Sequence, residues 1–109
     1  MAHFNVASNG TTGVVIAAAS TGNRARFLRF GFTCSTTARL ITLYDGTALA
    51  GTARCTFIVP ANDSRFYMVD NPGGSIFPKS WFTSGSAIEF ALGAGTTEVQ
   101  VWGEVVREP

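Results

Sequence analysis

The stretch "RARFLRFGFT", residues 24–33, decides the reading of the fold. It contains no proline, one glycine and three phenylalanines, and its side chains make sense on a two-residue period. In an extended chain, successive side chains point to opposite faces. Arg24, Arg26, Leu28, Phe30 and Phe32 then share one face, and Ala25, Phe27, Arg29, Gly31 and Thr33 share the other. The first face turns from basic to aromatic along its length. That places the start of the strand near solvent and its far end in a core.

Working outward, the same grammar recurs. Val14 to Ala19 reads as a preceding strand, with "STGN", residues 20–23, as the turn between them. Ala38 to Tyr44 reads as the next strand. Asp45-Gly46 follows as a hairpin signal, because glycine tolerates the positive φ such turns need. A short segment, Thr47 to Ala50, precedes Arg54 to Val59, which Pro60 stops. Arg65 to Val69 follows the turn "PANDS", and Trp81-Phe82 opens a possible short strand. Ser86 to Leu92 alternates with Ile88, Phe90 and Leu92 inward. Glu98 to Val106 closes the chain, with Val99, Val101 and Val105 on one face and Glu98, Gln100, Trp102 and Glu104 on the other. Turn signals about every 8–12 residues point to a sandwich or barrel. No segment holds an apolar 3.6-residue period over the length of a helix. The expected fold is all-β: a single-domain antiparallel β-sandwich, a jelly roll of about eight strands. Residues 1–12 are expected as an N-terminal arm and residues 13–109 as the sandwich.

Composition narrows the function. At 109 residues the chain is one domain, and a core of that size needs no metal or disulfide. Charged residues are 14% of the chain, against about 25% in an ordinary soluble domain, and the net charge is +1. A surface so short of charge tends to associate, so part of it is expected to be covered by protein. There is no basic run, and Arg24, Arg26 and Arg29 would supply few phosphate contacts, so a nucleic-acid partner is not expected. The longest apolar run, Val14 to Ala19, is too short for a membrane span. The start "MAHFNVASNG" lacks the basic and apolar regions of a secretory signal, which points to synthesis in a cytoplasm. Cys34 and Cys55 show no metal-binding spacing and read as buried free thiols, with a cross-strand disulfide as the alternative.

Catalytic chemistry finds little footing. His3 is the one histidine, and a terminal arm is a poor place to hold a general base beside a nucleophile. Asp45, Asp63 and Asp70 belong to turns, and Glu89, Glu98 and Glu104 alternate outward on strands, so no carboxylate pair stands out. The glycine-rich pieces at 73–75 and 93–98 lack the lysine and the helix of a phosphate loop. Neither an enzyme nor a cofactor or small-molecule substrate is expected.

The stretch "NPGGSIFPKSWFTSG", residues 71–85, places Ile76, Phe77, Trp81 and Phe82 in a segment built like a surface loop. Such residues are expected either to seal the end of the sandwich or to meet another chain. Together with His3, Phe4 and Val6 of the arm, and Trp102 on the polar face of the last strand, Ile76, Phe77 and Trp81 form the candidate interface set. Tryptophan is enriched at interface hot spots.

The order of these pieces resembles a known family. The pieces are Gly13-Val14-Val15-Ile16-Ala17-Ala18, then "RFLRFGFT" at 26–33, "YDGTALAG" at 44–51, "WFTSGSAIEFAL" at 81–92 and "VQVWGEVV" at 99–106. Their order is similar to that of small jelly-roll decoration (cement) proteins on the heads of tailed bacteriophages. The resemblance implies a homotrimer on the outer surface of a virion, bridging major capsid protein subunits, with no catalytic site. The alternative is a carbohydrate- or receptor-binding sandwich of a head fibre or tail tip. There Trp81, or Tyr44 with Asp45, would form the aromatic platform.

Overall fold

The computed structural model describes residues 2–46, 51–68 and 81–109. They form eight strands: β1 (Ala2–Ala7), β2 (Val14–Ala17), β3 (Arg24–Cys34), β4 (Arg39–Asp45), β5 (Thr52–Val59), β6 (Ser64–Met68), β7 (Ile88–Leu92) and β8 (Val99–Glu108). No helix occurs among the described residues. Two four-stranded antiparallel sheets, in the orders β1-β8-β3-β6 and β2-β7-β4-β5, pack as a sandwich. The pairing is nested: β4 with β5, β3 with β6, β2 with β7 and β1 with β8. This is one long hairpin rolled over on itself, the jelly roll that the alternating pattern predicts. The expected segment Thr47 to Ala50 lies outside the described residues.

β3 departs from simple alternation at one rung. Phe27 faces Val105 of β8 and the next pairing is Arg29 with Glu104, so Leu28 is an extra residue on β3. A bulge of this kind shifts the inward set by one. Ala25 and Phe27 point inward before it, and Phe30, Phe32 and Cys34 after it. Phe27, expected on the opposite face from Phe30, is therefore fully buried beside it. Arg24, Arg26 and Arg29 all stay on the outer side.

The expected N-terminal arm is also corrected. Residues 2–7 are strand β1, paired along β8 from Ala2 opposite Val105 to Ala7 opposite Gln100. Phe4 points into the core and is 8% exposed. It has room because its rung is Phe4, Gly103, Phe30. A Cβ at Gly103 would lie 2.2 Å from the Arg29 carbonyl oxygen and 3.0 Å from the Phe4 ring. The two phenylalanines close over that glycine, with ring centroids 6.0 Å apart.

Phe27 sits at the centre of the aromatic core, edge-on to Phe4 at 5.9 Å, Phe30 at 5.4 Å and Phe82 at 5.7 Å. Phe57 of β5 reaches across from the other sheet to Phe30 and Phe32. Edge-to-face pairs of this kind stabilise by about 0.5–1.5 kcal/mol each beyond their area. Trp81 and Phe82 are not in a strand. The Phe82 N–H donates to the Ala25 carbonyl, and its ring, 2% exposed, plugs the end of the sandwich.

Candidate functional site

The outer face of the β1-β8-β3-β6 sheet is built in rungs. One rung is His3, Glu104 and Arg29, and the next is Asn5, Trp102, Gly31 and Phe66. A third carries Gln100, Thr33 and Ser64. The Trp102 indole lies flat over Gly31, where a Cβ would stand 2.6 Å from the ring. Glycine is what lets the ring descend onto the sheet. Phe66 at the edge is 52% exposed.

Glu104 is the buried charge of this face, its side chain 9% exposed. Its Oε1 accepts from Arg29 Nη1 at 2.5 Å, and His3 Nδ1 stands 3.9 Å from the same oxygen. Its Oε2 is buried and has no hydrogen-bond partner. Gln100 Nε2 donates to Asn5 Oδ1 across the β1-β8 pair. His3, Phe4, Asn5, Arg29, Phe66, Trp102, Gly103 and Glu104 together line a depression of about 500 Å³.

The outer face of the β2-β7-β4-β5 sheet is different. Leu40 and Ile58 are directly opposed on β4 and β5, and they are 42% and 68% exposed. The next outward rung is Thr42 and Thr56, whose hydroxyls lie 3.1 Å apart. Val15 on β2 is 45% exposed.

The end of the sandwich holds Trp81. Its ring is stacked by Arg24 at 4.5 Å and by Arg26 at 5.2 Å. Arg24 is paired in turn with Glu108. Arg54 lies over the Phe82 ring, bonds Asp45 at 3.0 Å and reaches the Trp81 carbonyl. Asp45 Oδ2 also accepts from the Thr83 amide and hydroxyl. Of the groups named for an aromatic platform, Trp81 and Asp45 are thus already engaged by the chain's own side chains.

The candidate interface residues therefore scatter. Phe4 is in the core and Val6 packs half-buried against it, because the even positions of β1 point inward. His3 and Trp102 come together at the depression. Trp81 sits at the end of the sandwich, and Ile76 and Phe77 lie outside the described residues. Leu40, Ile58 and Phe66, all exposed, lie outside that set. The signal was available: each is a large apolar side chain at an outward position of an alternating strand.

The remaining charges largely cancel one another. Arg39 pairs with Glu98 at 3.1 Å and Arg65 with Asp63 at 2.6 Å, alongside the Arg24, Arg29 and Arg54 pairs. The Thr96 N–H and the backbone N–H of Glu98, with Arg39, hold the Glu98 carboxyl below the usual range. Burial pushes the Cys34 thiol up, and pushes Cys55 to about 11 against the pull of Arg54. Both cysteines are free; Cys34 is buried as expected, whereas Cys55 is only half-buried. Among the described residues, no three His, Cys, Asp or Glu side chains could hold a metal ion together.

Comparison of the chain with known family models, with characterised proteins and with solved structures finds no match.

Proposed function

We propose that the chain is a structural virion protein, a decoration protein on the outer surface of a phage capsid. It bridges and stabilises major capsid protein subunits and assembles with itself as a homotrimer. The observation that carries this reading is the opposed pair Leu40 and Ile58, open to solvent on a sheet face beside the bonded pair Thr42 and Thr56. Apolar surface of this kind has the composition of an interface core, and the charged side chain of this face, Glu89, lies two rungs away beside Val15 and Tyr44 and is 9% exposed. The arginine–carboxylate pairs support it further, since a self-neutralised surface repels a protein neighbour little. Order of elements along the chain, similar to that of cement proteins, supplies the identity of the partner. Repetition over a symmetric shell makes modest contacts sufficient, because bound copies act multivalently.

The test is addition of purified protein to expanded heads prepared without it, followed by sedimentation. Wild-type chain is expected to sediment with the heads. Ile58→Asp and Leu40→Asp are expected to stay in the supernatant while melting at nearly the wild-type temperature. Wild-type protein that remains in the supernatant overturns the reading.

A further inference from the structure

We propose that the depression over Trp102 binds a neutral saccharide of one or two rings, stacked on the indole and hydrogen-bonded to Glu104. This site lies on the opposite sheet from the Leu40–Ile58 surface, and the inference stands apart from the capsid reading.

Three features carry it. The first is the aromatic lining. Trp102 lies over Gly31 with Asn5 and Phe66 in the same rung, and all three side chains line the recess. A volume of about 500 Å³ is within the range of small-molecule sites, about 300–1,000 Å³. The second is Glu104 Oε2. A buried acceptor left unpaired is costly, and more so when it carries charge. Arg29 satisfies Oε1 and leaves Oε2 without a donor. A ligand with hydroxyl groups brings the missing donor. His3, 80% exposed at the rim and 3.9 Å from the same carboxylate, is the part of the wall free to swing aside. The third is the side-chain amide of Asn5, which lines the recess; its Oδ1 accepts from Gln100, and its NH2 group remains a donor for a ligand.

Charge selects the ligand class. A cation entering the recess would approach Arg29, and an anion would approach Glu104. The pair already compensates itself, so net charge on the ligand is not rewarded. What fits is a molecule with one C–H-rich face for the indole and several hydroxyl donors at its edge. A pyranose has that construction. A lysine or arginine side chain from a protein partner has the flat or aliphatic part but carries the charge that Arg29 opposes.

The experiment uses the whole chain, labelled with nitrogen-15. Maltose, cellobiose, lactose and N,N′-diacetylchitobiose are titrated to tens of millimolar, and the same protein is applied to an array of bacterial and plant glycans. Saturable shifts are expected at the Trp102 indole N–H and at the amides of Asn5, Arg29 and Glu104, for a titrated sugar or for the sugar the array identifies. Glu104→Gln, which keeps the shape, is expected to weaken binding about tenfold by removing a charge-assisted bond. Trp102→Ala is expected to abolish binding while leaving sedimentation with heads unchanged. If Trp102→Ala does not fold, Asn5→Ala replaces it, with a several-fold loss expected. No saturable shift and no array signal overturns the proposal. So do shifts centred on Trp81, or binding of an oligolysine peptide in preference to every sugar.

Discussion

The two outer faces of this sandwich rest on one core and follow the same alternation, yet their outward positions are filled in opposite ways. On the β1-β8-β3-β6 sheet they carry directional groups: Arg29 on Glu104, Gln100 on Asn5, and an indole seated over Gly31. On the β2-β7-β4-β5 sheet they carry exposed Leu40, Ile58 and Val15 and two threonines that bond each other, with the charge of Glu89 buried in the rung of Val15 and Tyr44. An apolar face gains from any surface that excludes water. A recess with one unpaired acceptor gains only from a partner that supplies a donor at that point. The contrast is between a face suited to a broad protein contact and one suited to a chemically selected ligand.

The largest effect expected is one that destroys both faces together. Phe4→Ala removes the ring that closes over Gly103 and touches Phe27 and Phe30. A Phe→Ala change in a core costs about 3–5 kcal/mol, a large part of the stability of a domain this size. Urea unfolding should show that loss, with head binding and saccharide binding falling in parallel. Deletion of residues 2–7 should act the same way, because it strips β1 from β8. A truncated chain that melts like the wild type would mean that β1 contributes nothing to the sandwich.

A smaller effect should separate the faces. Gly31→Ala sets a methyl where the Trp102 ring now lies, so the indole must lift from the sheet. Overpacking of this kind costs about 1–3 kcal/mol. Changes in Trp fluorescence and in the indole N–H shift should report the displacement, while sedimentation with heads should persist. Ile58→Ser makes the complementary test. At 68% exposure it should alter stability by no more than about 0.5 kcal/mol, measured by urea midpoint, yet reduce head binding. If Ile58→Ser binds heads as well as the wild type does, the apolar face is not the docking surface.

What could be read in advance followed from local periodicity. Phe30, Phe32, Val99, Val101 and Val105 lie in the core because alternation within their own segments puts them there. The bulge at Leu28 could not be read, since alternation assumes one residue per rung and the extra residue is defined only against β8. β1 is hidden in the sequence for a related reason. Phe4 gains its burial only where Gly103, 99 positions away, vacates the rung. The candidate site suffered most. Trp81 is an exposed-looking aromatic until Arg24 and Arg26 of β3 and Arg54 of β5 are brought around it. Glu104 is one outward carboxylate among several until Arg29 and His3 flank it. Both facts are made by pairing between strands far apart in sequence.

The smallest expected effect concerns how the two sheets are tied together. Arg39 belongs to β4 in one sheet, and Glu98 stands just before β8 in the other, so their ion pair links the faces at one end. The Thr96 N–H donates to Glu98 Oε2 at 2.6 Å and, with Arg39, holds the carboxyl below its usual value of 4.5. A carboxylate whose folded-state value is depressed contributes stability above its unfolded value and loses it as pH falls through the folded one. In that window the unfolded chain binds the proton more readily. Wild-type urea midpoints should therefore decline below about pH 4.5. Glu98→Gln should lower the midpoint slightly at neutral pH and flatten its decline, so the two proteins converge as pH falls through the depressed folded value. The link is partly open to solvent, so added salt should shrink the difference as well. A constant gap between wild type and variant from neutral to acid pH would show that the Glu98 charge is not what joins the sheets.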